Sequence, residues 1–332
     1  MPAATAASAA GRRTLAVLVL IPVVAALALS IFAWPAARIA PRDLPVGVAG
    51  PAAAADAVER GLERHEGAFE IHRYADADAA RAAIEDRDVY GAVVVTPGGT
   101  ELLTASAASP VVAGLLREAV TARAPAGAPV RVTDVVAAPS GDPRGAVLGA
   151  SLLPLALVGA ATGAATVLLG LRGARAVTTL VGAAALAGLV GAVLADSWLG
   201  ALTGDWWAEA GVLGLTVLAI GSAFAGLATL LGKPGFGLGA ALTILFGNAF
   251  SGMSSAPELL PTGVGALGQW LPPGAGGSAL RSVSAFDGAA AGRPLLVLSL
   301  WSVAGLAATA FGARHRPAEA APAPAQAPVP VS

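Results

Sequence analysis

The sequence predicts a polytopic α-helical membrane protein of six transmembrane helices, with an extracytoplasmic α/β domain inserted between helices 1 and 2. Three observations carry this. Of the 332 residues, 56% are hydrophobic and only 12% charged, whereas about a quarter of a soluble domain is charged. The apolar residues gather into six uncharged runs of about 18 residues or more, the length a helix needs to cross the hydrocarbon core. The charges that remain are concentrated between Arg38 and Arg144.

The runs are 14–34, 147–171, 177–195, 211–232, 236–253 and 294–313. A short tail, 1–13, precedes the first. A secretory signal is the alternative for that run, since Arg12 and Arg13 precede it and small residues follow at Ala33, Ala36 and Ala37. Its length and its close at Trp34 and Pro35 favour a retained anchor. Basic residues then set the orientation, because short loops rich in them stay in the cytoplasm. Arg12 and Arg13, Arg172 and Arg175, Lys233, and Arg314 and Arg316 all fall on one side. The other side carries Asp196, Asp205 and Glu209, with Trp198, Trp206 and Trp207 suited to the headgroup belt. A multi-pass protein of the plasma membrane with both termini cytoplasmic is the result.

Residues 35–146 form the extracytoplasmic domain, with regular structure expected over 44–138. "LPVGVAG" is a short apolar run, "AFEIHRY" alternates with period two, and "VYGAVVVTPGG" is a buried strand closed by a turn. Between them lie two helix-like stretches, the second capped by Asp76 or Asp78. "TELLTASA" returns as a strand, a helix starts with Ser109 as cap and Pro110 in its first turn, and "PVRVTDVVA" closes the unit. The order is β-α-β-α-β-β-α-β, with Val93 to Val95 expected to be most buried. The Pro/Ala-rich segment 314–332 has little to bury and is expected to be a disordered cytoplasmic tail.

Catalytic chemistry is hard to find. The chain has no cysteine, which excludes disulfides and thiolate sites. A nucleotide-binding P-loop needs lysine followed by Ser or Thr, but the one lysine, Lys233, precedes Pro234. His65, His72 and His315 share no metal-ligand spacing, and Glu85, Asp86 and Asp88 read as a solvated helix end. "GFGLG" at 235–239 lacks the preceding strand of a nucleotide loop and reads as a helix start. No catalytic, cofactor or metal residue is assigned, and a net charge of −1 argues against nucleic acid. The spans instead offer small residues four apart: Gly159 and Gly163, Ala184 and Gly188, Ala187 and Gly191, Gly235 and Gly239. These suit a tight bundle or pairing with a second copy. Asn248 is an intramembrane polar contact, either interhelical glue or a substrate contact.

Between the last two runs lies "PELLPTGVGALGQWLPPGAGGSALRSVSAFDG", too poor in charge for a freely solvated loop and too rich in proline for one helix. Segment 254–293 is expected to be re-entrant or interfacial: two short helices broken at 271–277, packed on spans five and six, with Trp270 at headgroup depth. Pro261, Trp270, Pro272, Pro273 and Arg281 are its candidate outer-gate residues. This stretch and the one-span, large-domain, five-span layout resemble the permease subunits of type-2 ABC exporters and the related phage-infection-protein-like (YhgE/Pip-like) membrane proteins. The matching positions are Gly252, Pro257, Leu260-Pro261, Leu271-Pro272, Leu280-Arg281 and Gly288. The alanine-rich, lysine-poor composition suits actinobacterial members.

The resemblance implies an exporter of an amphipathic or lipid-like substrate, not itself an enzyme. It would work as a homodimer or heterodimer among membrane lipids and be energised by a separate cytoplasmic ABC ATPase subunit. Arg172, Arg175 and Lys233 are the candidate ATPase-docking residues, although the loop that holds the first two, "RGAR", is short for docking. The alternative is a membrane-anchored binding or scaffold protein whose extracytoplasmic domain recognises an envelope partner.

Overall fold

A computed structural model describes residues 2–122 and 130–312. The chain opens with α1 (Pro2–Ala36), so segment 1–13, read as a tail, is helical from Pro2. Next come β1 (Leu44–Ala49), α2 (Ala52–Glu63), β2 (Phe69–Tyr74), α3 (Ala77–Glu85), β3 (Gly91–Thr96), β4 (Gly99–Thr104), α4 (Pro110–Thr121) and β5 (Val130–Asp134). This is the element order that alternation and capping residues predict. The Asp76 carboxylate accepts from Ala79 N at 2.9 Å and Ser109 Oγ from Val112 N at 3.2 Å, which stops the free amides at two helix starts from going unpaired.

The five strands form one sheet in the order β2-β1-β3-β4-β5, parallel except for the antiparallel β3–β4 hairpin. Period-two alternation sends Val46, Val93 and Leu102 to the face covered by α2 and α4, and Ala92, Val94 and Leu103 to the face covered by α3. Leu44, Val48, Leu102 and Leu103 are among the fully buried residues and lie deeper than Val93 and Val94, expected to be deepest. Val95 lies next to the hairpin turn, at the sheet's rim, and is only half-buried.

The helical part follows: α5 (Ala146–Leu168), α6 (Gly173–Ala192) with a π-helical extension Val193–Trp198, and α7 (Trp206–Leu231). Asp142 holds the start of α5, its carboxylate accepting from Ala146 N, Val147 N and Leu148 N at 2.7, 2.9 and 3.2 Å. α7 is the central helix, and the small-residue pairs converge on it. Gly159 and Gly163 meet it at Ile220 and Gly221, Gly188 meets it at Ala210 and Gly214, and Gly235 and Gly239 meet it at Leu227 and Phe224. These stripes are therefore used inside one chain. The partners' order makes α5 run parallel to α7 and α6 antiparallel to it.

Among the described residues five helices are long and apolar enough to cross a membrane: Val17–Ala36, Ala146–Leu168, Gly173–Trp198, Trp206–Leu231 and Gly292–Gly312. The sixth expected span, 236–253, is shorter than the sequence suggests. Its helical path is α8 (Lys233–Ala240), a π-helical stretch Ala241–Phe246, and α9 (Gly247–Ala249). At 1.5 Å per residue this is about 25 Å, less than the roughly 30 Å hydrocarbon core.

The proline-rich segment also differs from expectation. After a 3₁₀ turn Pro257–Leu259 come α10 (Val264–Gln269), α11 (Pro272–Ala285) and then α12 (Gly292–Gly312). The break falls at Trp270 and Leu271, and α11 runs unbroken through 272–277. Pro272 and Pro273 occupy its first turn, where proline's missing N–H has no intrahelical partner to lose. Most of α11 is buried, and it packs chiefly on α7 and α12. Glycine permits this: a Cβ at Gly277 would overlap the Met253 side chain, and one at Gly268 the Phe250 carbonyl.

The sheet unit closes over the other side of this segment. Ala256 and Leu259 belong to the core formed by Leu44, Val48 and Leu102, while Phe286 packs with Ile84 and Val89. Main-chain bonds run from Ala40 N to Leu259 O at 3.1 Å and from Arg42 N to Glu258 O at 3.0 Å. Residues 251–291 therefore form a wedge between sheet and bundle, and its irregular backbone is satisfied by protein on both sides. Segment 314–332, with Arg314, His315 and Arg316, lies outside the described residues.

Candidate functional site

The polar side chains of the wedge meet those of the sheet unit in one cleft. Arg87 follows α3 in the left-handed region (φ 66), and that turn carries it off the helix end towards α11. Its Nη1 donates to Ser278 O at 3.1 Å and to Ser282 Oγ at 2.5 Å, and its guanidinium lies 5.2 Å from the Phe286 ring centroid. Tyr90, at the head of β3, donates its O–H to Glu258 Oε2 at 2.7 Å. Gln269 donates to Ser251 O at 2.9 Å and accepts from Ser278 Oγ at 2.6 Å, tying α10 to α11.

Arg281 lies deepest, only 5% exposed. Its Nη2 donates to Met253 O at 3.2 Å, and its Nε has no partner. Arg293, at the start of α12, stacks 5.3 Å from the Trp270 ring centroid, and Trp270 O accepts from Trp301 Nε1 at 2.8 Å. Together Arg87, Tyr90, Glu258, Gln269, Arg281 and Arg293 line a cavity of about 600 Å³. Among the described residues none of the three cleft arginines is in an ion pair, unlike Arg73, which pairs with Asp56 and Glu59.

Burial dominates the electrostatics. Loss of solvation pushes the Arg281 pKa down to about 10 and that of Arg87 below its usual value. The Tyr90 phenol moves up, first because it is desolvated and second because the Glu258 charge opposes a phenolate. At neutral pH the cleft thus holds charged guanidiniums and a neutral phenol.

The other sequence-derived candidates are spread out. Arg172 and Arg175 flank the start of α6 and Lys233 begins α8, all at the bundle end away from the sheet. Asn248, in α9, lines a separate cavity of about 190 Å³ with Phe32, Ile39 and Met253, and its carbonyl accepts from Ser251 Oγ at 2.9 Å. Pro261 is buried, and its carbonyl accepts from Val264 N at 2.9 Å. Pro272 and Pro273 start α11, and Trp270 is 53% exposed at the cleft's edge. Of these candidates only Arg281 and Trp270 belong with the cleft. Arg87, Tyr90 and Gln269 were not singled out from the sequence. Glu85, Asp86 and Asp88 are exposed as expected, and Arg87 among them looks like one more solvated charge.

A second cavity, of about 460 Å³ and mostly apolar, lies in the sheet unit between α2, α4 and the strands, with Arg64 among its lining residues. Among the described residues no three His, Asp or Glu groups are placed to hold a metal ion. No protein-family model, curated protein or solved structure matches the chain.

Proposed function

We propose that the chain is the membrane-spanning permease subunit of an ABC-type exporter, working as a dimer and moving an amphipathic or lipid-like substrate. The observation that carries this reading is the wedge. It packs on α7, the helix that α5, α6, α8 and α12 also touch, and on the core of the sheet unit, so a shift of α7 would be passed to the sheet. That is the linkage needed if work done at one membrane face is to open the other. In this reading the sheet unit is extracytoplasmic, segment 233–249 serves as a sixth, thinner span, and both termini are cytoplasmic. Arg172, Arg175 and Lys233 then stand where a cytoplasmic ATPase docks. The test is purification of the tagged chain from its native membrane. A P-loop ATPase should come with it and be lost when Arg175 and Lys233 are replaced by glutamine; purification without any such ATPase would refute the reading.

A second reading, a membrane-anchored binding protein, is favoured by the apolar cavity of the sheet unit. A Cβ at its lining residue Gly61 would meet nothing, and a domain that only linked spans would gain by filling the space. Under this reading no ATPase is recovered, and an envelope component is retained by the chain instead.

A further inference from the structure

Arg87, Arg281 and Arg293 reach the wedge cleft from three different elements. Their partners are all neutral: Ser278 O and Ser282 Oγ for Arg87, Met253 O for Arg281, and the rings of Phe286 and Trp270. Two carboxylates share the lining, Glu258, which already accepts from Tyr90, and Asp88, so three guanidiniums face two acids and neither acid is within ion-pair distance of a cleft arginine. Arg281 is buried and Arg87 half-buried, and a desolvated cation with only neutral acceptors is costly; the Arg281 Nε, buried with no partner, adds to that cost, while Arg293 stands exposed at the cleft's mouth. An anion in the cleft relieves it. Guanidiniums converging from several sides suit the tetrahedral oxygens of a phosphate better than a planar carboxylate.

The position of the cleft decides which phosphate. Arg293 sits at the head of α12, one of the helices long enough to span. Leu296, Leu300 and Val303 follow it at helical spacing and are 59%, 56% and 67% exposed, an apolar stripe leading from the cleft along α12. Trp34, Trp198, Trp206, Trp207 and Trp270 all lie at this end of the bundle, the level at which tryptophan meets headgroups. We propose that the cleft lined by Arg87, Arg281 and Arg293 seats the anionic phosphate headgroup of a membrane amphiphile whose acyl chain lies along the Leu296, Leu300 and Val303 face of α12. The inference rests on the exporter reading for what happens to the amphiphile afterwards, whereas binding itself needs neither ATPase nor transport.

Binding is tested on the full chain, purified alone in a neutral detergent, by native mass spectrometry during titration with phosphatidylglycerol, phosphatidylcholine and inorganic phosphate. Phosphatidylglycerol should bind at least about tenfold more tightly than phosphatidylcholine, and Arg293→Gln should weaken it by a similar factor. Arg281→Gln should weaken it further. If that variant does not fold, Arg281→Lys, which keeps the charge but loses the planar fork, should show an intermediate loss. Arg131→Gln, exposed on the edge strand β5 and outside the cleft, should bind as wild type, which separates a built site from general attraction. Equal affinity for the two lipids, or full phosphatidylglycerol binding by Arg293→Gln, would overturn the proposal. So would displacement of the lipid by equimolar inorganic phosphate, which would make a soluble anion the ligand. Lipid selectivity without any co-purifying ATPase would uphold this site while removing the exporter reading.

Discussion

Tyr90 and Glu258, separated by 168 positions in the chain, share a hydrogen bond of 2.7 Å that joins the residue leading into β3 to the wedge. Removing either partner leaves the other desolvated and unpaired. Tyr90→Phe and Glu258→Ala should each lower stability by about 1.5–3 kcal/mol, the range for hydrogen bonds to charged groups. The double variant should cost clearly less than the two losses added, as thermal unfolding of the full chain in nanodiscs would show. Additive losses would mean that the pair is not coupled.

The same bond carries a pH signature. Desolvation, reinforced by the Glu258 charge, raises the folded-state pKa of Tyr90 above its ordinary 10.0. The folded protein therefore keeps a proton that the unfolded chain releases as pH passes about 10, so the stabilisation is whole below that pH and declines above it. The stability difference between wild type and Tyr90→Phe should stay flat from about pH 7 to 9 and shrink above about 10. A difference that grows with alkalinity would contradict the assignment.

Membrane orientation is open to direct labelling, because the chain has no cysteine of its own. Ser140 and Asp287 are exposed at the sheet end and Ala174 at the far end, whereas Ser278 is half-buried and bonded to Gln269. Cysteines at 140 and 287 should react with an impermeant thiol reagent in intact cells, and one at 174 should not. Labelling at 174 alone would invert the topology.

Close packing on α7 predicts a contrast within one helix. A Cβ at Gly188 would lie 2.7 Å from Gly214 N and 2.8 Å from its Cα, whereas one at Gly182 meets nothing within 4 Å. Gly188→Val should force α6 away from α7 and cost about 1–3 kcal/mol or prevent folding, while Gly182→Ala should be neutral or slightly stabilising. Thermal unfolding in detergent measures both, and equal effects would show that the α6–α7 contact is loose.

The wedge predicts a similar contrast. Pro272 already occupies the first turn of α11, so Pro272→Ala should keep the fold, whereas Gly277→Val should drive Met253 out and expose the wedge to protease. Rapid cleavage of both variants near residue 274 would mean that proline, and not the packing around it, holds the segment.

The sequence by itself determined which residues form helices and strands in this chain, because burial is recorded locally. Period two marks β2, short apolar runs mark β1 and β3, longer uncharged ones mark the five long helices, and Asp76 and Ser109 announce the helices they cap. The limits of that reading are local too. The apolar composition of 236–253 does not reveal that its helix stops at Ala249, and Pro272 and Pro273 look like a break until their first-turn position is known. Only the tertiary structure decided what the proline-rich segment is for. Leu259 accepts a bond from Arg42 across 217 positions, Ser282 from Arg87 across 195 and Glu258 from Tyr90 across 168. Contacts at such separations leave no period in the sequence, and a buried arginine is spelled the same way as a solvated one. The wedge and its cleft come into being only where sheet and bundle close on the same segment from opposite sides.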